Sequence, residues 1–152
     1  MGNLTIIRGL PGAGKSRLGH RLAERSGALF LEPDQILTCG GRYCYTPAEY
    51  RAATRIALDM ARRLGRLNCD LVYADVLPTW EDVERVVKAY GAPPGEVRLV
   101  SLPVAETVSL ARNRHAVRPA DIRRMAMAWE AMEGEEAMCI FVETGITGRF
   151  FI

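Results

Sequence analysis

Lysine is nearly missing from this 152-residue chain: eighteen of its twenty cationic side chains are arginine, and only Lys15 and Lys88 are lysine. A coding preference for arginine accounts for the bias as a whole. Long apolar runs are missing too, none approaching the roughly 20 residues that a bilayer requires, which argues against a membrane-spanning helix. The four cysteines (Cys39, Cys44, Cys69 and Cys139) show no CxxC or Cys/His spacing, so neither a zinc site nor a disulfide framework is indicated, and reduced thiols are expected. A formal net charge of +2 is too small to argue for nucleic-acid binding on charge alone. No internal repeat, low-complexity tract or linker breaks the chain. What remains is an ordinary globular composition, 49% apolar and 25% charged, sized for one packed core and one domain over residues 1–152. The N-terminus opens on a strand pattern and not on a leader, so a cytoplasmic protein with no membrane partner is expected.

What the chain does contain is an alternation of short β-rich runs with segments of helical period. Leu4 to Arg8 reads as a buried strand, followed by a glycine-rich loop and a helix from about Lys15 to Arg25 that Gly27 ends. ALFLE (Ala28 to Glu32) reads as a second strand, and the turn-rich TCGGRYCYT after it is the one sizeable irregular stretch, a kind of segment that often carries function. Thr46-Pro47-Ala48-Glu49 has the capping pattern of a helix start, and that helix is expected to reach Gly65. Asp70 to Ala74 is a third strand ending at Asp75, and Thr79 to Asp82 repeats the capping pattern before a helix that Gly91 stops. Val97 to Leu102 is a fourth strand, with a helix to about Asn113 behind it. Pro119 opens another helix whose Ile122, Met125, Trp129 and Met132 fall at core-facing spacing, and Met138 to Val142 is a last strand. The tail TGITGRFFI closes the sheet, lines a nucleotide pocket or meets another subunit. This alternation predicts an α/β fold in three layers, a parallel sheet of about five strands with helices on both faces. Ligands of such sheets lie beyond the carboxyl ends of the strands, which singles out the residues just after Arg8, Leu31, Ala74, Leu102 and Val142.

The first of those positions carries GLPGAGKS, which satisfies GxxxxGK[ST] in full with Gly9, Gly14, Lys15 and Ser16. Gly12 adds freedom inside the loop, Pro11 and Ala13 complete it, and Arg17 follows in the first helical turn. Glycines let backbone N–H groups turn inward around phosphate, the helix presents its positive end, lysine reaches the β and γ phosphates, and the serine hydroxyl ligates magnesium. ATP and Mg2+ are therefore the expected cofactors. A phosphate loop alone does not separate switch, motor and kinase. A kinase also needs a carboxylate to accept the proton of an acceptor hydroxyl and a lid that carries arginine. Asp34 and Asp75 lie just past the second and third strands, where either suits a base or a magnesium partner, and Arg112, Arg114 and Arg118 fall in a connector at about 112–120 that suits a lid.

The order IIRGLPGAGKS, PDQ, GGRYCYTP, VYADVLPTWE and LARNRHAVRPADIRRM resembles the small P-loop kinases grouped with phage polynucleotide kinase, from Leu4 to about Trp129. The resemblance implies that Lys15 and Ser16 hold the triphosphate and magnesium, that Asp34 is the general base, and that Arg112, Arg114 or Arg118 serves as the lid arginine. Departures fall on the acceptor side. Gln35 replaces the second aspartate of the usual pair, Leu37 stands where 5′-end kinases carry an arginine, and an Asp-Asn-Thr-Asn run is reduced to Asp75-Val76-Leu77. The implied acceptor is a hydroxyl on nucleic acid, either a 5′ end or a hydroxymethylated pyrimidine as in phages with modified DNA. Tyr43, Tyr45 and Trp80 are then candidates to stack on a base, with Asp75 beside them. A small-molecule hydroxyl, or nucleotide binding without catalysis, is the alternative.

Overall fold

β1 (Leu4–Gly9) is apolar on both sides because both of its sides are covered. Leu4 and Ile6 enter one core and Ile7 the other. A computed structural model of the chain describes residues 2–39, 42–93, 96–115, 117–132, 136–140 and 147–150, the last two ranges as backbone. Around β1 it builds a six-stranded sheet from β2 (Leu29–Leu31), β5 (Leu71–Asp75), β6 (Val97–Leu102), β7 (Glu136–Ile140) and β8 (Thr147–Phe150), in the order β2-β5-β1-β6-β7-β8. The first five strands of that order run parallel and β8 returns antiparallel to β7. The expected parallel sheet is thus present, and residues 147–150 of the tail extend its edge. The last parallel strand lies two residues before its expected start, and Val142 falls outside the described residues.

Helices α3 (Pro47–Arg66) and α4 (Trp80–Tyr90) cover one face through Ala57, Ala61, Val83 and Val86, and α1 (Lys15–Ser26) covers the other through Leu18 and Ala23. The capping chemistry read from sequence holds. Thr46 accepts from the Glu49 amide at 3.1 Å, and Thr79 and Asp82 form a reciprocal capping box. Gly27 and Gly91 end α1 and α4 in the left-handed conformation. Gly65 does not end α3, which runs to Arg66. It is the contact point with α4, where a β-carbon would overlap the Tyr90 carbonyl oxygen.

Beyond β2 the chain forms a short helix α2 (Pro33–Leu37) and a two-stranded hairpin, β3 (Thr38–Cys39) with β4 (Arg42–Tyr43), inside the stretch read as irregular. After β6 come α5 (Glu106–Ala111) and α6 (Pro119–Met127). α6 stops short of Trp129 and Met132. The Glu130 amide bonds the Pro78 carbonyl at 2.9 Å and its carbonyl accepts from Arg8 at 2.8 Å, partners that draw the backbone out of the helix. Met132 still reaches the core. Trp129 lies instead under the Arg8 guanidinium, 3.9 Å from ring centre to carbon. Among the described residues no helix is long and apolar enough to cross a membrane.

Candidate active site

The loop from Gly9 to Gly14 turns through two left-handed glycines, Gly12 at φ 76° and Gly14 at φ 94°, a conformation other residues rarely adopt. Ala13 packs into the core beneath, and the buried Ser109 hydroxyl of α5 bonds the Pro11 carbonyl at 2.6 Å. A β-carbon on Gly12 would lie 2.8 Å from Cβ of Arg112, so the end of α5 rests directly on the loop. Lys15 folds back along the loop, its ammonium donating to the Gly9 and Leu10 carbonyls at 2.9 and 3.1 Å. Burial lowers its pKa, opposed by the charges of Asp75, Asp34 and Glu32. Arg17 is exposed in the first turn of α1.

Those three carboxylates are the acidic side of the site. The Ser16 hydroxyl donates to Glu32 Oε2 at 2.8 Å, and burial raises the Glu32 pKa even though that bond works to lower it. Asp34, in α2, accepts from the Tyr43 hydroxyl at 2.8 Å. Asp75, buried at the end of β5, accepts from the Tyr50 hydroxyl and the Val76 amide, each at 2.7 Å and both on Oδ1. Its pKa is pushed up to about 6 by burial, against the pull of those two bonds and of Lys15. The sequence singles out Asp34 and Asp75 but not Glu32, which the fold places with them around Lys15. The signal was present, because Glu32 is the residue just after Leu31 that the strand-end rule marks.

Tyr43 is the hub of a ring cluster. It lies 4.1 Å from His115, between α5 and α6, and is stacked 6.4 Å from Tyr45, which is itself 6.0 Å from Tyr50. Arg118 is the N-cap residue just before α6 and holds Asp121 through two bonds of 2.8 and 3.3 Å, while Arg112 and Arg114 are exposed and make no ion pair among the described residues. Trp80 is 52% exposed at the start of α4, its amide bonded to Glu130, and it does not line the cleft beside Asp75. That cleft, of about 740 Å³, opens between α3 and α4 and is bordered by Tyr50, Thr54, Tyr73 and Pro78. Among the described residues no three His, Cys, Asp or Glu side chains are grouped to hold a metal by themselves.

A family model described as an AAA domain matches residues 4–134. No curated protein matches the chain by sequence. Among solved structures, a gluconokinase from Sinorhizobium meliloti 1021 superposes with a TM-score of 0.63 at 18% identity, covering 90% of this chain and 82% of that one. A shikimate kinase from Acinetobacter baumannii in complex with shikimate gives 0.55 at 19% identity, covering 84% and 75%. A chain of the Pnkp1/Rnl/Hen1 RNA repair complex gives 0.63 at 14% identity, with 84% of this chain covering 43% of that one. At these identities the likeness establishes the fold.

Proposed function

Since the chain belongs to the AAA domain family and has the fold of P-loop kinases, we propose that it is an ATP-dependent phosphotransferase that delivers the γ-phosphate to a hydroxyl, in the first reading the 5′-hydroxyl of a nucleic acid. The observation that carries the reading is the gathering of Glu32, Asp34 and Asp75 around Lys15 and Ser16 at the ends of β2 and β5. A switch or motor needs to position a water; carboxylates around a phosphate loop also serve to take the proton of an acceptor hydroxyl.

In this reading the loop amides and the start of α1 cradle the triphosphate. Lys15 exchanges the Gly9 and Leu10 carbonyls for β- and γ-phosphate oxygens. The donor set suits a hard cation: Ser16 gives its proton to Glu32 and keeps its lone pairs, and Asp75 keeps Oδ2 clear of both its hydrogen bonds. Magnesium needs only one or two such oxygens besides phosphates and water, and when bound it neutralises charge on the transferring group. Asp34 accepts the proton as the acceptor oxygen bonds the γ-phosphorus and the bond to the bridging oxygen of ADP breaks. The Tyr43 hydroxyl gives up Asp34 for that step. Of the lid arginines, Arg112 is our choice to meet the phosphates, because its backbone rests on Gly12 while Arg118 is engaged by Asp121.

Among nucleic-acid acceptors the site suits a 5′ end better than an extruded modified base, since the Tyr43 ring is already packed against His115 and Tyr45. A small-molecule hydroxyl is the second reading, favoured by the walled cleft next to Asp75 and by the likeness to gluconokinase and shikimate kinase. The test is transfer from γ-labelled ATP to a 5′-hydroxyl oligonucleotide, a duplex containing hydroxymethyluracil, and a panel of small hydroxyl compounds. Label at the oligonucleotide terminus is expected. Label confined to small compounds moves the assignment to the second reading, and ATP binding with no label in any acceptor overturns both.

A further inference from the structure

We infer that the acceptor carries an oxyanion, a phosphate or a carboxylate, near the hydroxyl it presents, and that Arg51 and Arg55 hold that group in the cleft between α3 and α4. The inference deepens the kinase reading and rests on it. Both arginines line the same cleft as Asp75. They are four residues apart on one face of α3, a spacing at which like charges weaken a helix. The nearest relief would be Asp59, one turn beyond Arg55, but that carboxylate is taken by Arg62 at 2.6 Å and Arg63 at 3.3 Å. Neither Arg51 nor Arg55 makes an ion pair among the described residues. On the opposite wall Arg85 is already matched by Glu81 and Asp82 at 2.7 and 3.4 Å. The cleft is therefore polarised, with uncompensated positive charge on α3 and the Asp75 carboxylate at the end of β5.

One more group points to a polar occupant. The Tyr73 hydroxyl is buried on the same cleft with no hydrogen-bond partner among the described residues, and burial keeps it protonated as a donor. A neutral sugar would leave the two guanidinium groups side by side, whereas an oxyanion compensates both through their planar forks. With the anion held on α3, the hydroxyl is left turned toward Asp75, Asp34 and the phosphate loop. α2, which carries Asp34, is PDQIL and contributes no cation of its own.

The test loads the protein with magnesium and adenosine 5′-(β,γ-imido)triphosphate, so that the phosphate loop is filled. It is then titrated calorimetrically with two matched pairs, thymidine 3′-monophosphate against thymidine and glycerol 3-phosphate against glycerol. The charged member of at least one pair is expected to bind about tenfold tighter or more, the range of a charge-assisted hydrogen bond. Arg51→Gln and Arg55→Gln, both exposed and so without consequence for the core, should each erase most of that preference and leave the affinity for the ATP analogue unchanged. A preference in the nucleotide pair points to a nucleic-acid end, and one in the glycerol pair to a small phosphorylated acceptor. Equal or undetectable binding of the charged members overturns the inference. The kinase reading fails separately, if charged probes bind and γ-labelled ATP labels no acceptor.

Discussion

Burial lifts the Asp75 carboxyl from 3.8 to about 6, while the Tyr50 hydroxyl, the Val76 amide and Lys15 hold it back. Between those values the folded chain binds more protons at this position than the unfolded chain, so stability falls as pH rises through the window, and above pH 6 the charged group costs the fold about 3 kcal/mol. Asparagine keeps an oxygen to accept both bonds. Asp75→Asn is therefore expected to be more stable by roughly 1–3 kcal/mol at pH 8, with the gain fading toward pH 4, in thermal melts at the two pH values. A lower melting temperature at pH 8 would remove the case for a buried charge. The same variant should lose phosphoryl transfer, as should Asp34→Asn, by about 10²-fold or more with ATP affinity retained; unchanged turnover in Asp34→Asn would mean that another group takes the proton. At this scale the phosphate loop was legible because each residue type in it has its own chemical reason. Glu32 was marked by the strand-end rule yet passed over, because ALFLE reads as strand to its last residue although β2 ends at Leu31. The Tyr43 bond to Asp34 was not legible, because it depends on a hairpin that no periodicity in TCGGRYCYT announces.

Elements were most legible where a local rule decides them. Thr46, Thr79, Gly27 and Gly91 mark helix ends by hydrogen bonding or by left-handed backbone, and the chain obeys them. The end of α6 was illegible because its cause is distant: Pro78 and Arg8 compete for the Glu130 backbone. Gly65 reads as a helix stop and acts instead as a contact, for the reason that a residue without a side chain serves both purposes. Gly65→Ala would drive a methyl group into the Tyr90 carbonyl, backbone that has no rotamer to yield. A loss of about 1–3 kcal/mol is expected in urea denaturation, as for other overpacked positions, although alanine is the better helix former. No loss would mean that α3 and α4 separate freely, and with them the walls of the cleft.

At the scale of the molecule, Arg8 ties the first strand to the far end of the chain: its guanidinium reaches the Pro78 and Glu130 carbonyls at 3.2 and 2.8 Å and lies over Trp129. Lysine keeps the charge without the planar fork, so Arg8→Lys is expected to destabilise the fold by about 2–4 kcal/mol and to shift Trp129 emission toward that of exposed tryptophan. An unmoved spectrum would mean that the stacking contributes little. The layer order was legible from the alternation of periods; the strand order was not, since it rests on which crossovers pack. That order has a consequence in time. Leu4 pairs with Leu71 on one side and Val97 on the other, so the strand behind the phosphate loop is made first and flanked last. During synthesis the loop waits for two partners that leave the ribosome much later, and the long closures delay it further. Chains arrested before Val97 should accordingly fail to stay on immobilised ATP, and retention of such chains would show the loop forming early. Nucleotide in the cell then acts as a ligand of the finished sheet, protecting the whole cooperative unit by mass action and giving no help to its nascent half.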